Sequence, residues 1–266
     1  AKPGADARRP RVFDEPFAYG DSPIHALDPR ARLVAVTCFS LAAALLRTPQ
    51  AAALALSCGA LLILLARLDA RALLKRLAAV NAFIVFLWLF LPFSLPGQAL
   101  WSLGPVTATA EGVRLALLVT LKSNAIVLAF LALASTASAA TLGQAMYRLR
   151  VPQKLSFLFL FTYRFIQIVG EEYVRLRTAA RLRGFSPRND AHTYRTLASL
   201  LGMILVRSFE RAERVHRAML LRGFSGRFAS LREFTLRRAD VIFLSLMLAA
   251  AVGIVCGDAA WRTVHG

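Results

Sequence analysis

The chain is poor in the residues from which catalytic and metal centres are built. Three Cys and four His are scattered through 266 residues. Cys38, Cys58 and Cys256 lie in apolar stretches without a CxxC spacing. Buried free thiols are therefore the expectation, and no disulfide framework or zinc centre is expected. His25, His192, His216 and His265 have no second His, Cys or carboxylate at ligand spacing on one face. No GxxxxGK(S/T) run occurs, so no phosphate-cradling loop is present. HExxH, GxSxG and paired carboxylates for acid–base work are missing as well. Acid is scarce overall: 15 Asp+Glu face 33 Lys+Arg, for a formal charge of +18. Only four of the basic residues, Lys2, Lys75, Lys122 and Lys154, are Lys.

Apolar side chains are abundant instead, at 57% of the chain, against roughly 45–50% in an ordinary soluble protein. A chain that is both apolar and basic must segregate the two characters along its length. This excludes a simple globular enzyme, a disordered chain and a collagen-like fibre. The expectation is an all-α, polytopic membrane protein with about five transmembrane helices and a cytosolic domain of long amphipathic helices.

Residues 1–31 read as a polar cytosolic arm with Pro3, Pro10, Pro16, Pro23 and Pro29. Arg8, Arg9 and Arg11 are followed by Asp14, Glu15, Asp21 and Asp28, and the first apolar run begins only near Leu33. That spacing is not the one expected of a secretory leader. Within 32–136, four spans are expected near Leu33–Leu46, Ala51–Ala66, Val80–Leu95 and Val113–Ala134. The first two are short for the roughly 20 residues that cross hydrocarbon. A fifth, Val241–Val255, falls within 241–266. The Arg67–Arg76 connector is basic, whereas the Gly97–Glu111 loop has no Lys or Arg. Cationic loops stay cytoplasmic, so the arm and connector are expected in the cytosol, with that loop and the C-terminus outside. Lys122 is the clearest ionisable residue within the spans, placed to snorkel or to pair between helices.

Residues 137–240 carry 19 Lys+Arg against seven Asp+Glu, yet their periodicity is helical. Phe161, Phe165, Val169, Tyr173, Leu176 and Ala180 mark one face of a long helix. Leu201, Leu205, Phe209, Ala212, Val215 and Met219 mark one face of a second. Glu171 and Arg175, Glu210 and Arg214, and Glu213 and Arg217 stand at pairing distance. A shorter amphipathic piece, about Thr141–Leu149, precedes both.

One internal echo stands out. Ala179-x-x-Leu182-Arg183-Gly184-Phe185-Ser186-x-Arg188 returns 39 residues later as Ala218-x-x-Leu221-Arg222-Gly223-Phe224-Ser225-x-Arg227. Each copy closes one long helix. Capping explains the Arg-Gly pair, since Gly takes the left-handed conformation and Arg complements the helix dipole. It does not explain the shared Leu before it or the Phe-Ser after it. A chain that presents the same Arg knob twice suits a partner with two equivalent sockets, such as a two-fold dimer. Carboxylates or helix C-terminal carbonyls in the socket would suit the guanidinium fork. A second reading is a basic, membrane-anchored binder of anionic lipid or nucleic acid. Against it, the Arg residues are interleaved with Glu, and no aromatic stacking platform is clustered with them.

The stretch Ser22-Pro23-Ile24-His25-x-Leu27-Asp28-Pro29-Arg30-x-Arg32-Leu33 resembles the N-terminal signature of the transmembrane T component of energy-coupling-factor (ECF) transporters. The twin Leu-Arg-Gly ends, with Ser-Gly-Arg after the second, look like the Ala-Arg-Gly-type motifs that end that family's coupling helices. The cobalt-type CbiQ branch is the most similar. The resemblance covers roughly 12–256, with Leu182 and Leu221 standing where Ala is common. It implies a non-catalytic scaffold in the bacterial inner membrane, between an identical pair of ATPase subunits and a substrate-binding membrane subunit, for cobalt uptake. ATP would be used by the partners, and this chain would bind no cofactor, metal or nucleic acid. Leu182, Arg183, Gly184, Phe185, Leu221, Arg222, Gly223 and Phe224 would contact the ATPases.

Overall fold

The computed structural model describes residues 22–96, 99–103, 106–149, 151–224 and 237–265. Most of the arm expected over 1–31, and the second motif's Ser225 and Arg227, lie outside them. The elements run α1 (Pro29–Leu45), α2 (Pro49–Ala66), α3 (Ala70–Ser94), β1 (Ala99–Leu103), β2 (Val106–Thr109), α4 (Ala110–Leu133), α5 (Ala139–Arg148), α6 (Gln153–Leu182), α7 (Ala191–Leu221) and α8 (Arg238–His265). The fold is all-helical apart from β1 and β2, an antiparallel hairpin within the segment expected to be a loop. α3, α4 and α8 start earlier than the apolar runs alone indicated, because their polar first turns are already helical. The helices form two compact units, one made of α6 and α7, the other of α1–α5, the hairpin and α8.

Short polar residues set the helix starts. Asp28 accepts the Arg30 N–H at 2.8 Å, and Pro29 fills the first helical position, where a missing N–H costs nothing. Thr48 and Pro49 repeat the device for α2, with the Thr48 hydroxyl accepting the Ala51 N–H at 3.4 Å. Asp69 caps α3 through the Arg71 N–H at 3.3 Å. Thr109 caps α4 through the Gly112 N–H and donates its own proton to the Leu95 carbonyl at 2.9 Å. Arg67 ends α2 in the left-handed region at φ 48°.

Contacts at the helix ends give the topology of the larger unit. The Asp28 N–H at the start of α1 donates to Asp240 at the start of α8, at 2.8 Å. At the other end of α1, Thr48 donates to Asp258 of α8, from its N–H at 2.9 Å and from its hydroxyl at 2.6 Å. α1 and α8 are therefore parallel. α4 runs against α1, because Arg32 reaches Thr136 and Lys122 reaches the Ala44 carbonyl. One side of the bundle thus gathers Asp28, Arg76, Ser135 and Asp240. The other gathers the α1–α2 turn, Asp258 and the end of α3 beside the start of α4.

Among the described residues, α2, α3, α4 and α8 are long and apolar enough to cross a membrane. α1 is shorter, at 17 residues, or about 26 Å at 1.5 Å per residue. Its tethers to Asp240 and Asp258 nevertheless carry it between the two levels that those residues mark on α8. The bundle core is built on alanine: Ala35, Ala43, Ala52, Ala55, Ala125, Ala129 and Ala132 are fully buried together with Phe39 and Leu133. Small residues let backbones approach, which is how helices associate without a hydrophobic driving force. At the α2–α4 crossing, a Cβ on Gly59 would lie 3.0 Å from the Ala125 carbonyl oxygen and 3.2 Å from the Leu128 Cβ. Phe83, Phe86, Phe90, Leu54, Leu64 and Val252 point outward, a surface suited to hydrocarbon. The three cysteines are free, as expected, but not buried: Cys38 and Cys58 are half-exposed and Cys256 is exposed.

Candidate functional site

α6 and α7 form an antiparallel pair. Arg207 of α7 is ion-paired with Glu172 in the middle of α6. Phe224, just past α7, stacks at 6.5 Å on Phe157, near the start of α6. The expected Glu171–Arg175 pair is replaced: Arg175 lies 3.9 Å from Glu172, one residue along. Glu172 also holds Arg207, so it gathers cations from both helices. The Glu210–Arg214 and Glu213–Arg217 pairs form as expected. Asp190 caps α7 through the Thr193 N–H at 2.7 Å. Hydrogen bonding by the Thr193 side chain, and then by its N–H, holds this carboxyl below its ordinary range.

The two echoed segments adopt the same helix end. Arg183 sits at φ −88°, ψ 14° and Arg222 at φ −89°, ψ 12°. Gly184 and Gly223 follow in the left-handed region at φ 84° and 77°. The Phe185 N–H reaches back to the Ala180 carbonyl at 3.1 Å, and the Phe224 N–H to the Met219 carbonyl at 3.0 Å. These bonds satisfy carbonyls that a helix end would otherwise leave open. A Cβ on either glycine would meet nothing within 4 Å, so Gly is required here by conformation and not by space.

Capping leaves the side chains free. Leu182 and Leu221 are 85% and 90% exposed, an extreme for leucine. Arg183 and Arg222 are exposed too, and neither guanidinium has an ion-pair or hydrogen-bond partner among the described residues. The Phe residues are half-buried and anchor the turns, Phe185 beside His192 and Phe224 over Phe157. Because the pair is antiparallel, the two Arg knobs project from its opposite ends. The 31 residues of α7 separate them by on the order of 45 Å at 1.5 Å per residue.

The α7 stripe read from sequence divides. Val215 and Met219 are half-buried, whereas Leu201, Leu205 and Phe209 are exposed. These three form an exposed apolar face among the described residues of the unit. No group of His, Cys, Asp and Glu able to hold a metal ion occurs among the described residues.

The partners in several polar contacts of the bundle were not evident in sequence. Lys122 donates to the Ala44 carbonyl at 2.8 Å, capping the C-terminal turn of α1 from α4. The Asn81 and Asn124 side-chain amides exchange hydrogen bonds at 3.1 and 3.0 Å between α3 and α4. Arg32 and Thr136 meet in the core, as do Thr48 and Asp258. The only signal for these was the rarity of a polar residue inside an apolar run, which identifies a candidate but not its partner.

This is a helical membrane protein carrying two congruent, exposed Arg-bearing helix ends, and comparison with known proteins gives the class a family. Residues 20–232 match the family model described as CbiQ, cobalt transport protein. The chain is 30% identical over 216 residues to the energy-coupling factor transporter transmembrane protein EcfT of Heliobacterium modesticaldum, covering 77% of this chain and 81% of that one. It is 28% identical to the EcfT of Acidaminococcus fermentans, over 88% of this chain and 91% of the relative. It is 34% identical to the cobalt transport protein CbiQ of Rhodobacter capsulatus, over 45% and 49%. The chain belongs to the CbiQ/EcfT family of transmembrane components of ECF transporters.

Proposed function

We propose that the chain is the coupling subunit of an ATP-driven ECF importer of cobalt, lying in the bacterial inner membrane between two identical ATPases and a substrate-binding membrane subunit. The observation that carries this reading is the pair of congruent, exposed Arg knobs at opposite ends of α6 and α7, neither guanidinium having a partner among the described residues. Two identical ends call for two identical sockets, and closure of a two-fold ATPase pair would pull on both. Each socket would supply carboxylate or carbonyl oxygens to the guanidinium fork, with Leu182 or Leu221 seated beside it. The helices act as levers, since a continuous α-helix moves as a body. The exposed Leu201, Leu205 and Phe209 face supports an apolar partner such as the substrate-binding subunit.

The orientation follows from charge. The bundle side carrying Arg67, Arg71, Arg76 and Arg237 faces the cytosol, and the hairpin and C-terminus face outward. ATP is hydrolysed by the partners, and this chain binds neither nucleotide nor resident metal. Nucleic acid is disfavoured as a partner because Arg175, Arg207, Arg214 and Arg217 are paired with Glu172, Glu210 and Glu213 within the unit. The test is co-expression with an ATPase pair and a metal-type substrate subunit, followed by ATP-dependent uptake of cobalt(II) into proteoliposomes. Retention of both ATPases at high salt, with cobalt uptake, is expected. Loss of the ATPases contradicts the coupling role, and ATP turnover without cobalt entry contradicts the substrate.

A further inference from the structure

The signature around Asp28 is explained only in part by helix capping. Arg32, one turn into α1, is 3% exposed. An Arg side chain has five N–H donors, yet the one hydrogen bond this side chain makes among the described residues is from Nη1 to the Thr136 hydroxyl, at 3.0 Å. Its Nε is buried without a partner. The neighbouring carboxylates are Asp28 and Asp240, and both are engaged elsewhere. Asp28 holds Arg30 through two contacts, at 3.1 and 2.9 Å. Asp240 accepts the N–H groups of Asp28 and Arg237, each at 2.8 Å. A buried, under-bonded cation is a poor choice for stability alone, because an apolar residue of similar volume commonly does as well or better.

The positions of its partners suggest what it does. Thr136 lies in the turn that leads from α4 into α5, the last helix of the bundle before the chain passes on to α6. Asp240 lies in the first turn of α8, where the chain comes back after α7. The start of α1 therefore grips the turn into α5, the helix that leads out, through Arg32 and Thr136, and the return into α8 through Asp28 and Asp240. Thr136 is itself fixed to α4 by donating to the Ala132 carbonyl at 2.8 Å.

We propose that Arg32, with Thr136 and Asp240, forms a clasp that passes displacement of the α6–α7 unit to α1 and so to the membrane bundle. This rests on the coupling role proposed above and names positioning residues for it. The single Arg32–Thr136 bond is the link that can be made and broken, because the buried Nε leaves Arg32 a spare donor for a rearranged carboxylate.

The test is hydrogen exchange on the whole complex with its ATPases, nucleotide-free and vanadate-trapped. Native protein, Thr136→Val and Thr136→Ser are compared; the valine is isosteric and removes only the hydroxyl. Trapping is expected to change exchange at the ends of α6 and α7 and, in the native protein and Thr136→Ser, in the first turn of α1. In Thr136→Val the change at α6 and α7 stays, and the α1 response falls roughly 10- to 150-fold, the factor for losing a hydrogen bond made by a charged group. An undiminished α1 response in Thr136→Val would overturn the clasp while leaving the coupling role standing. No response at α6 and α7 in the native complex would overturn the coupling role and the clasp together.

Discussion

Asp258 of α8 accepts three backbone or side-chain donors from the α1–α2 turn: the Thr48 hydroxyl at 2.6 Å, the Thr48 N–H at 2.9 Å and the Arg47 N–H at 3.2 Å. It therefore caps the start of α2 from another helix, while Thr48 caps the same start from within. Asp258→Ala leaves these buried donors unpaired and is expected to destabilise the bundle by about 1–3 kcal/mol. Asp258→Asn keeps one acceptor and costs less. Arg262, which meets Asp258 at 3.3 Å from a half-exposed position, contributes only about 0–1 kcal/mol. Thermal unfolding in detergent of Asp258→Ala, Asp258→Asn and Arg262→Gln should rank in that order, the alanine lowest.

Gly59 is expected to tolerate no larger residue without separating α2 from α4. The Ala125 carbonyl that a Cβ would meet at 3.0 Å is main chain and cannot swing aside. Gly59→Val should cost about 1–3 kcal/mol and Gly59→Ala less, read as unfolding midpoints in the same detergent. Gly202, where a Cβ meets nothing within 4 Å, serves as the control, and Gly202→Ala should be neutral or mildly stabilising.

Gly184→Ala and Gly223→Ala should each cost about 1–2 kcal/mol locally, the penalty of a left-handed L-residue. The effect should appear as fraying of the last turn of α6 or α7 in hydrogen exchange, without a change in the bundle. Asn at either position should be better tolerated than Ala.

The helical unit and its ends were legible because periodicity and capping are local properties. A stripe at every third or fourth residue marks α6 and α7, and a Gly after a basic residue marks where each ends, whereas their starts at Gln153 and Ala191 lie eight and ten residues ahead of the stripes. The membrane helices were legible as apolar runs, but their first turns were not, since Ala70–Arg76 is basic and still helical. Cross-helix contacts could not be read. Lys122 meeting Ala44, and Asp258 meeting Thr48, depend on which helices are neighbours, and composition carries no such information. The Glu171–Arg175 pair failed for a related reason: on a helix, i,i+3 and i,i+4 partners compete, and Glu172 wins by also reaching Arg207 across the pair. The role proposed for Arg183 and Arg222 was suggested by repetition; the structure adds that both are exposed and share one cap geometry.

The topology is tested by labelling single cysteines with a membrane-impermeant reagent in a background lacking Cys38, Cys58 and Cys256. A cysteine at Ser102, in β1, should react from the outside of intact cells. A cysteine at Asn189, between α6 and α7, should react only after permeabilisation. The reverse pattern contradicts the orientation.

Docking of Arg183 and Arg222 in equivalent ATPase sockets is measured most directly as ATPase retention on the solubilised complex. Arg183→Ala or Arg222→Ala removes a contact to a charged group worth about 1.5–3 kcal/mol, a binding loss of roughly 10- to 150-fold. The two single variants should weaken retention alike, Arg→Lys should restore part of it, and the double Arg→Ala variant should lose assembly or coupled uptake. Full retention with normal uptake in the Arg183→Ala/Arg222→Ala protein would contradict the account.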